Sequence, residues 1–153
     1  MYTAQNAQTG RPPMKWHCFL TYFGIWVSAL MCAGEAFLWF SGNAYGRYVY
    51  STHPGLRMFD IVTGILYIVQ IAMLLSARGK LSRLETEGPR ALNGAHIMLA
   101  VMPLLTSWIS SSIAGRSFNV TFIGSFSFVL VIVGVLGWIV NALYYHGREE
   151  VFC

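Results

Sequence analysis

The chain has 153 residues, 56% of them hydrophobic and only 10% charged, with ten Lys and Arg against six Asp and Glu. A soluble domain builds its polar shell from roughly 25% charged residues, so this composition excludes a water-soluble globule, and the length allows one domain. The net charge of +4 needs no nucleic-acid partner, because its distribution along the chain follows a membrane topology.

Residues 1 to about 14 are polar, contain Arg11, Pro12 and Pro13, and read as a disordered cytoplasmic tail. Beyond them, a membrane domain over 15–153 is punctuated by four long stretches with almost no charge. Phe19 to Phe40 carries only Glu35, while Ile61–Ala77, Ile97–Ala114 and Ser117–Tyr145 carry none. Crossing a ~30 Å hydrocarbon core takes roughly 20 apolar residues in a helix, and lipid forces backbone groups to be satisfied internally. The expected spans are 17–40, 56–77, 94–114 and 120–145. A β-barrel would read as ~10-residue alternating segments, which these are not. The first stretch exceeds the apolar run of a signal peptide and reads as a retained helix.

Between the first two spans lies a Gly- and Tyr-rich outer loop, Ser41 to His53, whose Tyr45, Tyr48 and Tyr50 suit the headgroup level. Pro54 fits the first turn of the second helix, with Thr52 or His53 as its cap. The helix is expected to run past the membrane to about residue 87, with Leu81 and Leu84 on one face against the inner leaflet. Gly88-Pro89 would stop it, and Asn93-Gly94 would introduce the third helix. A short turn at Arg116-Ser117 leads to the fourth. Short connections imply an all-α, antiparallel, up-down four-helix transmembrane bundle.

With the N-terminus inside, cytoplasmic segments hold Arg11, Lys15, Arg78, Lys80, Arg83, Arg90 and Arg148, and outer ones hold Arg47, Arg57 and Arg116. The Lys and Arg excess therefore puts both termini in the cytoplasm and the protein in the plasma membrane. Cys18, Cys32 and Cys153 form no metal or redox spacing, and a Cys in last place is no prenylation box. Small residues recur as Gly24, Ser28 and Cys32, as Ser107, Ser110 and Ser111, and as Gly134 and Gly137. They permit close helix approach, within one chain or in a homodimer.

Glu35 is the sharpest feature, since an ionisable group inside a membrane helix suggests function. It reads as an ion- or proton-coupling carboxyl, or as a group paired with Arg57 or Arg116 near the outer surface. Asp60 is the second candidate. It either pairs with Arg57 one turn earlier or joins Glu35 in an acidic pair that accepts a cation. Gln70 and Asn141 read as amides that bridge helices, and Pro103 as a kink in the third helix. His17, His96 and His146 fall near helix ends on the cytoplasmic side, where a haem pair competes with simple interfacial placement. Asn119-Val120-Thr121 matches a glycosylation sequon too close to the membrane to carry weight. The chain holds no nucleophile elbow, phosphate loop or metal motif, so neither catalytic residues nor cofactors are expected.

The runs His53-Pro54-Gly55-Leu56-Arg57-Met58-Phe59-Asp60 with Gly64, the basic stretch ending in Gly88-Pro89, and Asn141, Tyr144, Tyr145, Arg148 and Phe152 at the C-terminus carry a resemblance. Over roughly residues 15 to 152 the chain resembles uncharacterised small four-transmembrane-helix proteins of anaerobic Gram-positive bacteria. Some of these have an N-terminal zinc ribbon, which this chain lacks. The resemblance implies the topology and the membrane location but no activity.

These features point first to a non-enzymatic accessory or interaction component of the cell membrane. Its partners would be the lipid bilayer and another membrane protein or further copies of itself. The alternative is a small oligomeric proton- or cation-coupled transporter or channel that uses Glu35.

Overall fold

A computed structural model describes residues 14–42, 45, 47–115, 126–148 and 152. The sequence reading of residues 1–13 as a disordered tail, the Arg116-Ser117 turn, the sequon and the first residues of the fourth span lie outside the described residues. Helix α1 covers Lys15–Ser41. It comprises an α-helical start (Lys15–Phe19), a π-helical turn (Leu20–Gly24) and a longer α-helix (Ile25–Ser41). Helix α2 is Arg47–Thr52, α3 is Gly55–Ser82, α4 is Gly88–Ile113 and α5 is Phe126–His146.

Four of these, α1, α3, α4 and α5, are long and apolar enough to cross a membrane. The shortest, α5, has 21 residues; at 1.5 Å per residue it is about 31 Å long, enough for a ~30 Å hydrocarbon core. Their outer faces are apolar, with Tyr22, Leu30, Phe37 and Leu143 each more than 70% exposed. Glu35, Asp60, Gln70 and Asn141 are all at most 1% exposed. Apolar outside and polar inside reverses the arrangement of a water-soluble domain and suits a chain whose solvent is hydrocarbon.

Helix α1 packs on α3, α3 on α4 and α4 on α5, while α1 meets α5 over a thinner contact. Polar clasps reinforce that thin seam. The Trp16 indole donates to Asn141 Oδ1 (3.0 Å), His17 Nδ1 lies 3.1 Å from the Tyr145 hydroxyl, and Ser127 Oγ donates to Glu35 Oε1 (2.9 Å). Elsewhere glycine allows the close approach. A Cβ at Gly134 would lie 2.6 Å from the Ala100 nitrogen and 2.8 Å from the His96 carbonyl oxygen, so α4 and α5 touch at backbone level. Gly64 similarly receives the Phe40 ring between α3 and α1. Ser28, Cys32, Ser110 and Ser111 are buried too, so these small residues serve packing inside the one chain.

Helix α3 ends at Ser82 in a left-handed cap. Leu84 has φ +56°, its N–H donates to Leu81, and the Glu85 N–H reaches back to Lys80. This is the paired-bond geometry that commonly closes helices. A leucine tolerates the positive φ here because its side chain packs on the core. The sequence reading had carried this helix to about residue 87 with Leu81 against lipid. Instead Leu81 is wholly buried, lying against Gly88. Gly88-Pro89, read from sequence as a stop, opens α4. Proline suits a first helical turn as well as it ends a helix. The third helix consequently begins six residues before Gly94, which puts His96 in its interior. The connection between α1 and α3 also contains the short helix α2, and Thr52 donates to the Tyr48 and Val49 carbonyls at its end rather than capping α3.

Candidate functional site

Glu35 sits six residues before the end of α1, among side chains of α1, α3 and α5. One turn later on the same face, Trp39 directs its indole N–H to Glu35 Oε2 at 3.0 Å. From the first turn of α5, the Ser127 hydroxyl donates to Oε1 at 2.9 Å. The Tyr67 hydroxyl of α3 lies close to the Glu35 carboxyl, the Cys32 thiol and the hydroxyls of Ser127 and Thr106. It makes no hydrogen bond of good geometry among the described residues. Thr106 of α4 is bonded to the Met102 and Pro103 carbonyls, the usual back-bonding of a helical threonine.

No Lys or Arg is hydrogen-bonded or ion-paired to Glu35 among the described residues. Arg57, one of the partners considered from sequence, donates instead to the Phe40 carbonyl at 3.2 Å and fills the space beside Gly42. The other, Arg116, lies outside the described residues. Among the described residues Glu35 is therefore a carboxyl without a counter-charge, held by the Trp39 indole N–H and the Ser127 hydroxyl.

Asp60, in the second turn of α3, is fully buried. Tyr50 of α2 donates to its Oδ2 at 2.5 Å, and Oδ1 has no partner among the described residues. The expected ion pair with Arg57 does not form, because that guanidinium turns toward the end of α1. Burial and the Asp60 carboxylate together push the Tyr50 phenol up to about 12. Glu35 and Asp60 keep separate partners, with no hydrogen bond joining them.

Asp60, Thr63, Tyr67 and Gln70 lie three, four and three residues apart and form one buried stripe of α3. Gln70 donates to the Ala95 carbonyl of α4 at 2.8 Å. Asn141 accepts from Trp16, which joins α5 to α1. Sequence reading named only the two ends of this stripe. The helical spacing of its polar members was the signal that would have added Thr63 and Tyr67. Ser127 and Thr106 carried no such signal, since serine and threonine are common in apolar helices.

His17 and His96 lie in the opposite half. His17 is buried against the rings of Tyr145 and Phe152. His96 lies under Gly137, with Nδ1 at 2.9 Å from the Leu92 carbonyl oxygen. It is not at a helix end, contrary to the expectation from sequence. Among the described residues no three His, Cys, Asp or Glu side chains converge as a metal site would require. Comparison with protein-family models, curated proteins and solved structures gives no match for this chain.

Proposed function

We propose that this protein spans the plasma membrane as an antiparallel up-down bundle with both termini cytoplasmic. We further propose that it handles protons or small cations through Glu35, as a small oligomeric transporter or channel. The observation that carries this reading is the carboxyl itself. It is buried in the bundle, has no cation beside it among the described residues, and has hydroxyls of two other helices, Ser127 and Tyr67, close by. Keeping an ionisable group at such a depth is costly, and such groups mark ion and proton routes by default. The Lys and Arg excess around the 78–90 connection supports the orientation.

The test is proton or cation flux in proteoliposomes. Wild-type protein should discharge an imposed gradient, and Glu35→Gln, whose amide oxygen can accept from the Trp39 N–H while its NH2 donates to a Ser127 hydroxyl turned to accept, should abolish that flux while leaving the fold intact. Equal flux in the variant would remove Glu35 from the mechanism.

A second reading rests on the thin α1–α5 seam. There the Glu35–Ser127 bond works as a clasp, one of three, and the protein is a non-enzymatic accessory component whose assembly with another membrane protein gives it its role. Native mass spectrometry of protein extracted from its own cells separates the two. A mixed assembly favours the clasp, and a homo-oligomer favours the coupling carboxyl.

A further inference from the structure

Away from Glu35, a cavity of about 380 Å3 opens between the first turns of α4 and the last turn of α5. It falls within the ~300–1,000 Å3 range of small-molecule sites. Pro89, Ala142, Tyr145 and Phe152 give it an apolar wall, while Thr86, Arg90, Asn93 and His146 supply polar groups. We propose that this cavity binds a hydroxyl-bearing phosphate ester, the chemistry of an anionic glycerophospholipid headgroup or of a free glycerol phosphate.

The groups divide between the two parts of such a ligand. Arg90 is exposed at the first turn of α4 and ion-paired to no carboxylate among the described residues. Its acidic neighbour Glu87 is itself engaged by Lys80. The guanidinium fork therefore faces the cavity free to take two phosphate oxygens, and His146 is part of the same lining. Asn93 Oδ1 is buried and has no hydrogen-bond partner among the described residues. A buried amide oxygen in that state wants a donor, which a phosphate cannot offer and a glycerol hydroxyl can. The apolar wall receives the part of the ligand nearest the acyl chains. The site also lies beside the basic turn of Lys80 and Arg83, the end of the bundle where interhelical basic pockets hold anionic headgroups.

The test uses the full chain in nanodiscs of phosphatidylcholine, with and without phosphatidylglycerol, and reads retained lipid by native mass spectrometry. Wild-type protein should retain phosphatidylglycerol over phosphatidylcholine by about five-fold, the weight of one basic residue near the surface. Arg90→Ala should lose that preference. Arg83→Ala, which removes the same charge from the neighbouring turn outside the cavity, should keep it. Thermal stabilisation of the wild type by glycerol 1-phosphate in phosphatidylcholine discs, absent in Arg90→Ala, would support the site and assign it to a soluble ester. Equal retention of the two lipids by the wild type, or equal preference in wild type and Arg90→Ala, overturns the proposal. Circular dichroism of each variant keeps loss of binding distinct from loss of fold.

Discussion

Around Glu35 and Asp60 the buried polar groups include two carboxyls, while around His17, Gln70 and Asn141 they are rings, amides and the hydroxyls of Thr21 and Tyr145. The amides each make one bond, Gln70 donating to a carbonyl and Asn141 accepting from an indole, and Gln70 Oε1 and Asn141 Nδ2 have no hydrogen-bond partner among the described residues. Their work is to join helices, and a neutral group that joins helices has no reason to change state. In the Glu35 half the hydroxyls of Ser127, Tyr67 and Thr106 can each reverse donor and acceptor roles, and Asp60 retains an unused acceptor. The His17 half gives its fixed cations to the boundary: Arg78 donates to the Thr21 carbonyl at 2.9 Å and lies 5.2 Å over the Trp26 ring. One half joins helices through neutral groups, and the other holds the two buried carboxyls.

The comparison breaks most severely if the frame under both halves is removed. Gly134→Leu drives a side chain into the α4 backbone and should leave no monodisperse folded protein on size exclusion. Gly134→Ala should lower stability by about 1–3 kcal/mol, read by unfolding in detergent.

Next in size is the contrast between two changes at Glu35. Glu35→Leu leaves the Trp39 N–H and Ser127 hydroxyl without their acceptor and should cost about 1–3 kcal/mol. Glu35→Gln should cost clearly less while still stopping flux. A similar cost for both would mean that the carboxyl's charge, and not just its acceptor, holds the fold.

In the other half, Asn141→Leu should cost about 1 kcal/mol, in the range of interhelical hydrogen bonds in membranes, and should leave flux untouched. A loss of flux there would erase the distinction between the halves.

Smaller still is a spectroscopic effect at the roof of the Glu35 half. The difference in ultraviolet titration between wild type and Tyr50→Phe should show the Tyr50 phenol ionising near pH 12, and Asp60→Asn should bring it down toward the usual value of about 10. Because the folded value is the raised one, the Tyr50–Asp60 bond holds in full below pH about 10 and is lost as pH rises through about 12.

The least effect belongs to Lys80 and Glu87. The ammonium beside Glu87 holds its carboxyl below the usual range, so any contribution is present above that range and fades as pH falls through the depressed value. Both groups are exposed, and Lys80→Met should leave the thermal midpoint at neutral pH unchanged.

The four apolar helices were legible because charge-free runs of helix-spanning length have few other uses. The boundaries near 82–94 were not, since Gly-Pro punctuates a helix end and a helix start equally well, and only the packing of Leu81 on Gly88 decides between them. Glu35 and Asp60 stood out as charges in apolar sequence. Their partners did not: Ser127 lies 92 positions from Glu35, and Tyr50 looked like one more interfacial aromatic. Arg57 was misassigned because spacing along a helix gives reach but not direction, and its side chain satisfies the end of α1 instead.

The π-helical turn at Leu20–Gly24 has a consequence for how this chain tolerates changes in length. A loop of i→i+5 bonds encloses one residue more than an α-helical turn. The inward positions His17, Thr21, Ile25, Ser28, Cys32, Glu35 and Trp39 share one face on both sides of that turn, and the extra residue is accommodated within it. Removing one residue from 20–24 should let the turn relax to ordinary α-helix with His17 still against Tyr145. The same deletion a few positions further along would swing everything before it by about 100° and carry His17 out of the core. The helix thus holds a slack link at one known place, and it is there that shortening the chain should do least harm.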